Sequence, residues 1–193
     1  MNKNIVLCGV GGQGTVLASK LIAECAMAKN TPVMSAETIG MAQRGGSVFS
    51  HLRMGEGLYS PMIAEKTADL IIGFEPGEAV RMLPFLKEGG QVIVSARPIM
   101  PITATLSDLE YSGEEMIAYL RAHVENLIVV DADKACQELG SAKVLNILLL
   151  GKAVFSGALG FSEEEIKEVI RQKVPEKFHE LNFRALGYAK QHN

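Results

Sequence analysis

The sequence contains no tryptophan, 6% aromatic residues, three cysteines and four histidines in 193 residues. Each shortage excludes something. Cys8, Cys25 and Cys136 form no C-x-x-C pair, and three thiols cannot make a four-cysteine iron–sulfur or zinc site within one chain. All three fall in apolar runs and read as buried free thiols, so no metal site is expected. Of the histidines, only His51 has an informative setting, and on an alternating strand it reads as structural. No G-x-S-x-G, H-E-x-x-H or Walker lysine is present, and no residue is singled out as catalytic. Long apolar runs are missing as well. The longest, near Val144–Phe155, is interrupted by Lys152, well short of the roughly 20 apolar residues that span a bilayer. Ile5–Cys8 is too short for a signal core. The expectation is a cytoplasmic protein without a membrane partner. A net charge of −3 gives no general pull toward nucleic acid, and none is expected as a partner.

What remains is an ordinary globular composition, 48% hydrophobic and 21% charged, in a chain long enough for one core. A single domain over residues 1–193 is expected. Asn4–Cys8 reads as a buried strand, Thr15–Ala28 as a helix and Pro32–Ala36 as a second strand, a parallel crossover around a glycine turn. Val48–Arg53 alternates with period two and predicts a strand or hairpin, added antiparallel at the sheet edge, with Leu58-Tyr59 beginning a returning strand. Strands follow at Asp69–Phe74, Gln91–Ser95 and Asn126–Val130, with helices at Pro76–Phe85, Ser112–His123 and Asp131–Leu139. The end is helix after helix: Ser141–Ser156, Ser162–Lys173 and Pro175–Gln191, the second opened by the capping-box pattern Ser162-Glu-Glu-Glu165. The sum is an α/β fold: a three-layer, Rossmann-like, mostly parallel sheet with an antiparallel strand or hairpin and a helical C-terminal end.

GVGGQG, residues 9–14, is the first site-like stretch. Gly9 allows a sharp bend, Gly11 removes a side chain that would block a phosphate, and Gly14 lets the helix approach the strand. The helix start offers N–H groups and a positive dipole end to an anion. A nicotinamide reading also needs an acidic residue at the end of the second strand. Glu37, 23 positions after Gly14, is a tolerable fit. Gly12 and Gln13 depart from the plain pattern, and Gln13 would present an amide at the mouth of the turn. Dinucleotide binding, another anion or cofactor fragment, and a purely structural turn all stay open on this pattern.

The second stretch is Glu37–Arg53. It gathers Gln43, Arg44, Gly45, Gly46, Ser47 and His51. Arg44 offers a planar donor fork for carboxylate or phosphate, although it could equally pair with a nearby carboxylate. Loops after the first and second strands of a doubly wound sheet emerge at the same, carboxyl end, so the two stretches should share a surface. Met41 lies in this loop, and residues 39–48 are expected to form an exposed, partly apolar contact face.

GVGGQG, then SAETIGMAQRGGSVFSHLRMG, SPMI and ADLIIGFEPGEAVRMLPFL, with the late KVLNILLLGKAV and NFRALGYAK, resemble the gamma-type subunit or domain of the 2-oxoacid:ferredoxin oxidoreductases. The form AETIGMAQRGGSV makes the indolepyruvate branch, with its small beta subunits, the most similar. The resemblance covers nearly the whole chain. It implies oxidative decarboxylation of an aryl pyruvate such as indolepyruvate, or of pyruvate, with coenzyme A to acyl-CoA, carbon dioxide and reduced ferredoxin. By the same resemblance, thiamine diphosphate, magnesium and the iron–sulfur clusters belong to a larger partner subunit, which passes electrons to ferredoxin. This chain would bind none of them alone and would be inactive alone. Its Gly9, Gly11, Gly12, Gln13, Gly14, Gln43, Arg44, Gly45 and Gly46 would face the partner's active site, helping to enclose substrate or coenzyme A. A homodimer of the isolated chain is also compatible with an exposed contact face. The alternatives are a free-standing NAD-dependent oxidoreductase, for which Glu37 is the discriminating residue, and a non-catalytic interaction protein.

Overall fold

The computed structural model describes residues 2–37, 45–100 and 111–192. Its strands are β1 (Lys3–Val10), β2 (Val33–Glu37), β3 (Ser47–Met54), β4 (Ala68–Gly73), β5 (Leu86–Ser95) and β6 (Asn126–Val130). Its helices are α1 (Thr15–Ala28), α2 (Pro76–Met82), α3 (Gly113–His123), α4 (Ala132–Leu139), α5 (Leu145–Phe155), α6 (Glu163–Lys173) and α7 (His179–Gln191). Short 3-10 turns at Leu83–Phe85, Ala142–Val144 and Glu176–Phe178 adjoin α2, α5 and α7.

The strands form one sheet in the order β2-β3-β1-β4-β5-β6. β1, β4, β5 and β6 are parallel, and β3 runs antiparallel to both β1 and β2. The antiparallel strand is therefore present but is not an edge addition. It is inserted between β1 and β2, and β2 takes the edge. Burial explains the placement. β3 sends Leu52 and Met54 into the core on one face and His51 into the opposite layer, all three fully buried, and a strand covered on both faces belongs inside a sheet. β2 is only partly buried along its length. The expected returning strand at Leu58-Tyr59 is also absent. Arg53 donates to the Ser60 carbonyl and the Ile63 N–H donates to His51 Nδ1. Side chains, not a ladder, hold this loop, and Tyr59 is 94% exposed.

Period-two alternation divides the core. Ile5, Leu7, Leu70, Ile72 and Ile93 face the layer built from α1 and α4–α7. Val6, Cys8, Ile71, Val92 and Val94 face α2 and α3 through Ala79, Met82, Ile117 and Leu120. α5 is buried from Leu145 through Val154. Its Gly151 is required by a close crossing with α7, since a Cβ there would lie 2.7 Å from the Ala189 Cβ. The capping box of α6 forms in both directions: the Glu165 N–H donates to Ser162 Oγ and the Ser162 N–H to the Glu165 carboxylate. Among the described residues, no helix is long and apolar enough to cross a membrane.

Candidate functional site at the carboxyl end of the sheet

The glycine turn leaves β1 and enters α1 at the carboxyl end of the parallel strands. Gly12 and Gly14 have φ of 102° and 85°, a left-handed conformation that glycine adopts without steric cost. Gly14 is the N-cap of α1, and no side chain caps this helix, so its first N–H groups remain available as donors. Gly9 serves a different end. A Cβ there would sit 2.6 Å from Gln13 Oε1 and 2.7 Å from Phe74 Cβ. The space it leaves admits the Gln13 side chain, whose Oε1 accepts from the Val10 N–H at 2.7 Å while Nε2 donates to the Phe74 carbonyl at 2.8 Å. Gln13 thus fastens the end of β1 to the end of β4. Its amide, expected at the mouth of the turn, has both ends engaged inside it.

The second stretch comes to the same place. The Gly11 N–H donates to the Gly46 carbonyl at 2.8 Å, Gly45 has φ 77°, and Val10 pairs with Ser47 in the ladder. Gly9, Gly11, Gly12, Gln13 and Gly14 are therefore brought together with Gly45 and Gly46. Gln43, Arg44 and Met41 lie outside the described residues, as does most of the expected contact face at 39–48. The Ser47 hydroxyl, next in the chain, donates to Glu78 Oε2 at 2.6 Å.

Glu37 ends β2, with β3 between it and β1. At about 4.8 Å per strand spacing, that moves it roughly 10 Å from β1 instead of placing it on the adjacent strand. A nicotinamide ribose held over this turn would meet β3 where the acidic residue is required. The geometry disfavours the dinucleotide reading.

Several residues at this end were not singled out from sequence. Glu75 is buried and caps α2, accepting from the Glu78 N–H at 2.9 Å. It also accepts from the Tyr111 hydroxyl and the Ile99 N–H. Burial pushes its carboxyl above the ordinary range, and the bond from Tyr111 opposes that; the Tyr111 hydroxyl is itself pushed up, first by burial and then by the carboxylate beside it. Pro76 at the first helical position was the available signal for a capping residue at 75. A cleft of about 400 Å³ lies alongside the turn, lined by Gly11–Gly14, Arg97, Ile99, Lys143, Leu145 and Asn146. Nothing local in the sequence links residue 14 to residue 146; only the packing of α5 beside α1 does so.

His51 belongs to the core. Its Nδ1 accepts from the Ile63 N–H at 3.0 Å, which puts the proton on Nε2. The ring lies between Phe49 and Phe85, and burial lowers its pKa. The cysteines are buried too. Burial raises the thiol pKa of Cys8 and of Cys136, and pushes that of Cys25 up to about 12, so each is held as an inert thiol.

This arrangement, a β1–turn–α1 unit tied to a second glycine loop over an inserted antiparallel strand, can be set beside known proteins. Residues 4–191 match the family described as pyruvate ferredoxin/flavodoxin oxidoreductase. The chain belongs to that family. Within it, the chain is 39% identical over 184 residues to the indolepyruvate oxidoreductase subunit IorB of Thermococcus kodakarensis, covering 94% of this chain and 91% of that protein. The IorB subunit of Archaeoglobus fulgidus is also 39% identical, over 191 residues and 97% and 94% of the two chains. Similarity to the gamma subunit common to the pyruvate/ketoisovalerate oxidoreductases of Pyrococcus furiosus is lower, 27% over 179 residues, 92% of this chain and 89% of that one. The fold is shared with the gamma subunit of a keto/oxoacid ferredoxin oxidoreductase from Geobacter sulfurreducens, with a TM-score of 0.70 at 23% identity over 98% and 96% of the chains. It is also shared with part of a 2-oxoglutarate:ferredoxin oxidoreductase from Magnetococcus marinus, with a TM-score of 0.72 at 20% identity over 98% of this chain and 30% of that one.

Proposed function

We propose that this chain is the accessory subunit of a 2-oxoacid:ferredoxin oxidoreductase of the indolepyruvate type, and that the carboxyl end of its sheet faces the active site of a larger partner. The partner carries thiamine diphosphate, magnesium and iron–sulfur clusters and delivers electrons to ferredoxin. The thiamine diphosphate supplies the carbanion chemistry of decarboxylation, and an aryl pyruvate is the substrate class, with coenzyme A as co-substrate. This chain contributes no group that reacts. It supplies a rigid surface: the turn fastened by Gln13, the Gly11–Gly46 bond that joins it to the second loop, and the free N–H groups at the start of α1.

The reading is carried by the extent of the likeness. Proteins named as IorB subunits are matched over 91–94% of their own length, so the likeness is to those subunits nearly end to end and not to a fragment of them. Three inert thiols in separate parts of the fold are consistent with clusters held elsewhere. The test is anaerobic capture of the tagged chain from its native cells. Retention of a large, brown partner containing thiamine diphosphate, with turnover of aryl pyruvates by the captured complex, is the expected result. A colourless, partner-free chain that binds NAD at micromolar concentration overturns it.

A further inference from the structure

The two edges of the sheet are built differently. β2 carries the usual defences of an exposed edge: Pro32 precedes it, Ser35 is exposed in its middle and Glu37 ends it. β6, at the other edge, has none. Its sequence is Asn-Leu-Ile-Val-Val, without charge or proline, and its register against β5 is unbroken from Asn126 to Val130. Leu127 and Val129 pack toward α2 and α3, and Ile128 and Val130 toward the opposite layer. Apolar residues on both faces are the pattern of an inner strand of a parallel sheet, yet no strand lies beyond β6 among the described residues.

The hydrogen bonds give the direction of the open side. The Ala96 N–H donates to the Val130 carbonyl at 2.8 Å, and Val130 pairs with Ser95. Val130 therefore turns its backbone groups to β5. Alternation along the strand does the same for Asn126 and Ile128, and turns the N–H and C=O of Leu127 and Val129 outward. Two donors and two acceptors stand in a row there, spaced as an extended chain would meet them.

Charge selects what can pair. A cleft of about 870 Å³ opens where β6 begins, and Glu88, Tyr119 and Glu125 are among its walls. Glu88 and Glu125 are exposed and make no ion pair among the described residues, and Tyr119 is 46% exposed. α3 ends at His123 and brings the negative end of its dipole to the same place. Lys87 is taken up by Asp69 at 2.6 Å, which leaves Lys66 as the opposing cation of the cleft. Two carboxylates and an aromatic ring favour a Lys or Arg side chain. The same charges speak against a second copy of this chain. Antiparallel self-pairing with Leu127 opposite Val129 would set Glu125 against Asp131, and like charges directly opposite are destabilising.

We propose that the outer edge of β6 is a strand-addition site. An extended segment of another polypeptide, apolar along its length and basic at its end, pairs with Leu127 and Val129 and sets its basic side chain by Glu88 and Glu125. Main-chain bonds to the edge supply the affinity, and the acidic cleft supplies the choice of partner. The proposal concerns a side edge of the sheet and does not rest on the reading of its carboxyl end.

The test is titration of the isotopically labelled full-length chain with a synthetic peptide of alternating Val and Thr residues flanked by lysines, and with its glutamate-flanked counterpart, followed by amide shifts and hydrogen exchange. With the lysine peptide at about 1 mM, the Leu127 and Val129 amides are expected to shift and to exchange about tenfold more slowly. The glutamate peptide should bind about fivefold more weakly, and Glu125→Lys, at an exposed position, should reverse that preference. Val129→Pro removes an outward donor and no ladder bond, and should abolish the response. No response to the lysine peptide, equal response to both peptides, or a response unaltered in Glu125→Lys and Val129→Pro together overturns the proposal. Slowing of the same two amides when the protein alone is concentrated identifies a second copy as the occupant and also overturns it. So does slow exchange already present in the dilute chain, which would mean that the chain covers its own edge. All of these readouts come from the chain alone, so failure here is distinguishable from failure to capture a partner.

Discussion

The carboxyl end of the sheet and the α5–α7 block are held by different forces. At the carboxyl end the contacts that matter are single hydrogen bonds: the Gln13 side chain to the Val10 and Phe74 backbone, Gly11 to Gly46 between backbones, and Ser47 to Glu78 between side chains. In the α5–α7 block they are apolar surfaces in close contact, with every residue of α5 from Leu145 to Val154 buried and Gly151 set against Ala189. A hydrogen bond fixes one geometry and contributes modestly to stability, whereas packing contributes most of the stability and tolerates little change in volume. The site is thus precise but inexpensive to disturb, and it rests on a layer that is costly to disturb.

The strongest way to break that contrast is Gly151→Val. Its side chain overlaps Ala189, and the expected loss is about 3 kcal/mol of global stability, read as a lower urea midpoint with no change confined to the turn. An unchanged midpoint would mean that α5 and α7 do not cross as closely as described. Gln13→Ala comes next. It leaves the Val10 N–H and Phe74 carbonyl without their partner, and a loss of about 2 kcal/mol is expected, with amide shifts concentrated at residues 9–14 and 74. Shifts spread across α5–α7 would contradict a local role.

A third test uses pH. Burial holds His51 neutral and its pKa below the ordinary value, so as pH falls the unfolded chain takes up the proton first. Stability from this group is complete above the ordinary histidine pKa of about 6.5 and is lost as pH falls through it toward the lower folded value, with a slope of at most about 1.4 kcal/mol per pH unit. His51→Asn keeps an acceptor for the Ile63 N–H and should flatten the urea midpoint between pH 7.5 and 5.5. The smallest effect is expected from Ser162→Ala. Loss of one half of the capping box should cost about 1 kcal/mol and fray only the start of α6, seen by amide exchange.

The same contrast governs what could be read in the sequence. Hydrophobic period and capping signals are local, and they place the helices from Ser112 onward and the strand Asn126–Val130 close to where the structure has them. Strand order is not local. Nothing within Val48–Arg53 says whether its neighbours are one strand or two; that follows from burial on both of its faces, including His51 over Phe85. Gly9–Gly14 and Gly45–Gly46 could be assigned to one surface because both follow strands at the same end of a sheet. Lys143 and Asn146 could not, because they join the cleft beside Gly14 only after α5 packs next to α1. The direction of the Gln13 side chain was hidden for a similar reason: its partner Phe74 is 61 positions away.

The position of β1 has a consequence for the order of events during synthesis. It is an inner strand whose partners come much later, Lys3 pairing with Met54 and Ile5 with Leu70, and β2 pairs with β3 and does not touch β1. No part of the sheet can close until the ribosome has delivered β3; α1 is present early, but α4–α7, which complete the cover of the Ile5–Leu7 face, emerge last. Until α4–α7 are made, the nascent chain therefore displays an apolar face that α1 alone covers only in part, and closing such distant pairs is slow. Truncation within α5–α7 uncovers that face and is expected to leave the chain insoluble instead of merely weakened, read as its share of the soluble fraction.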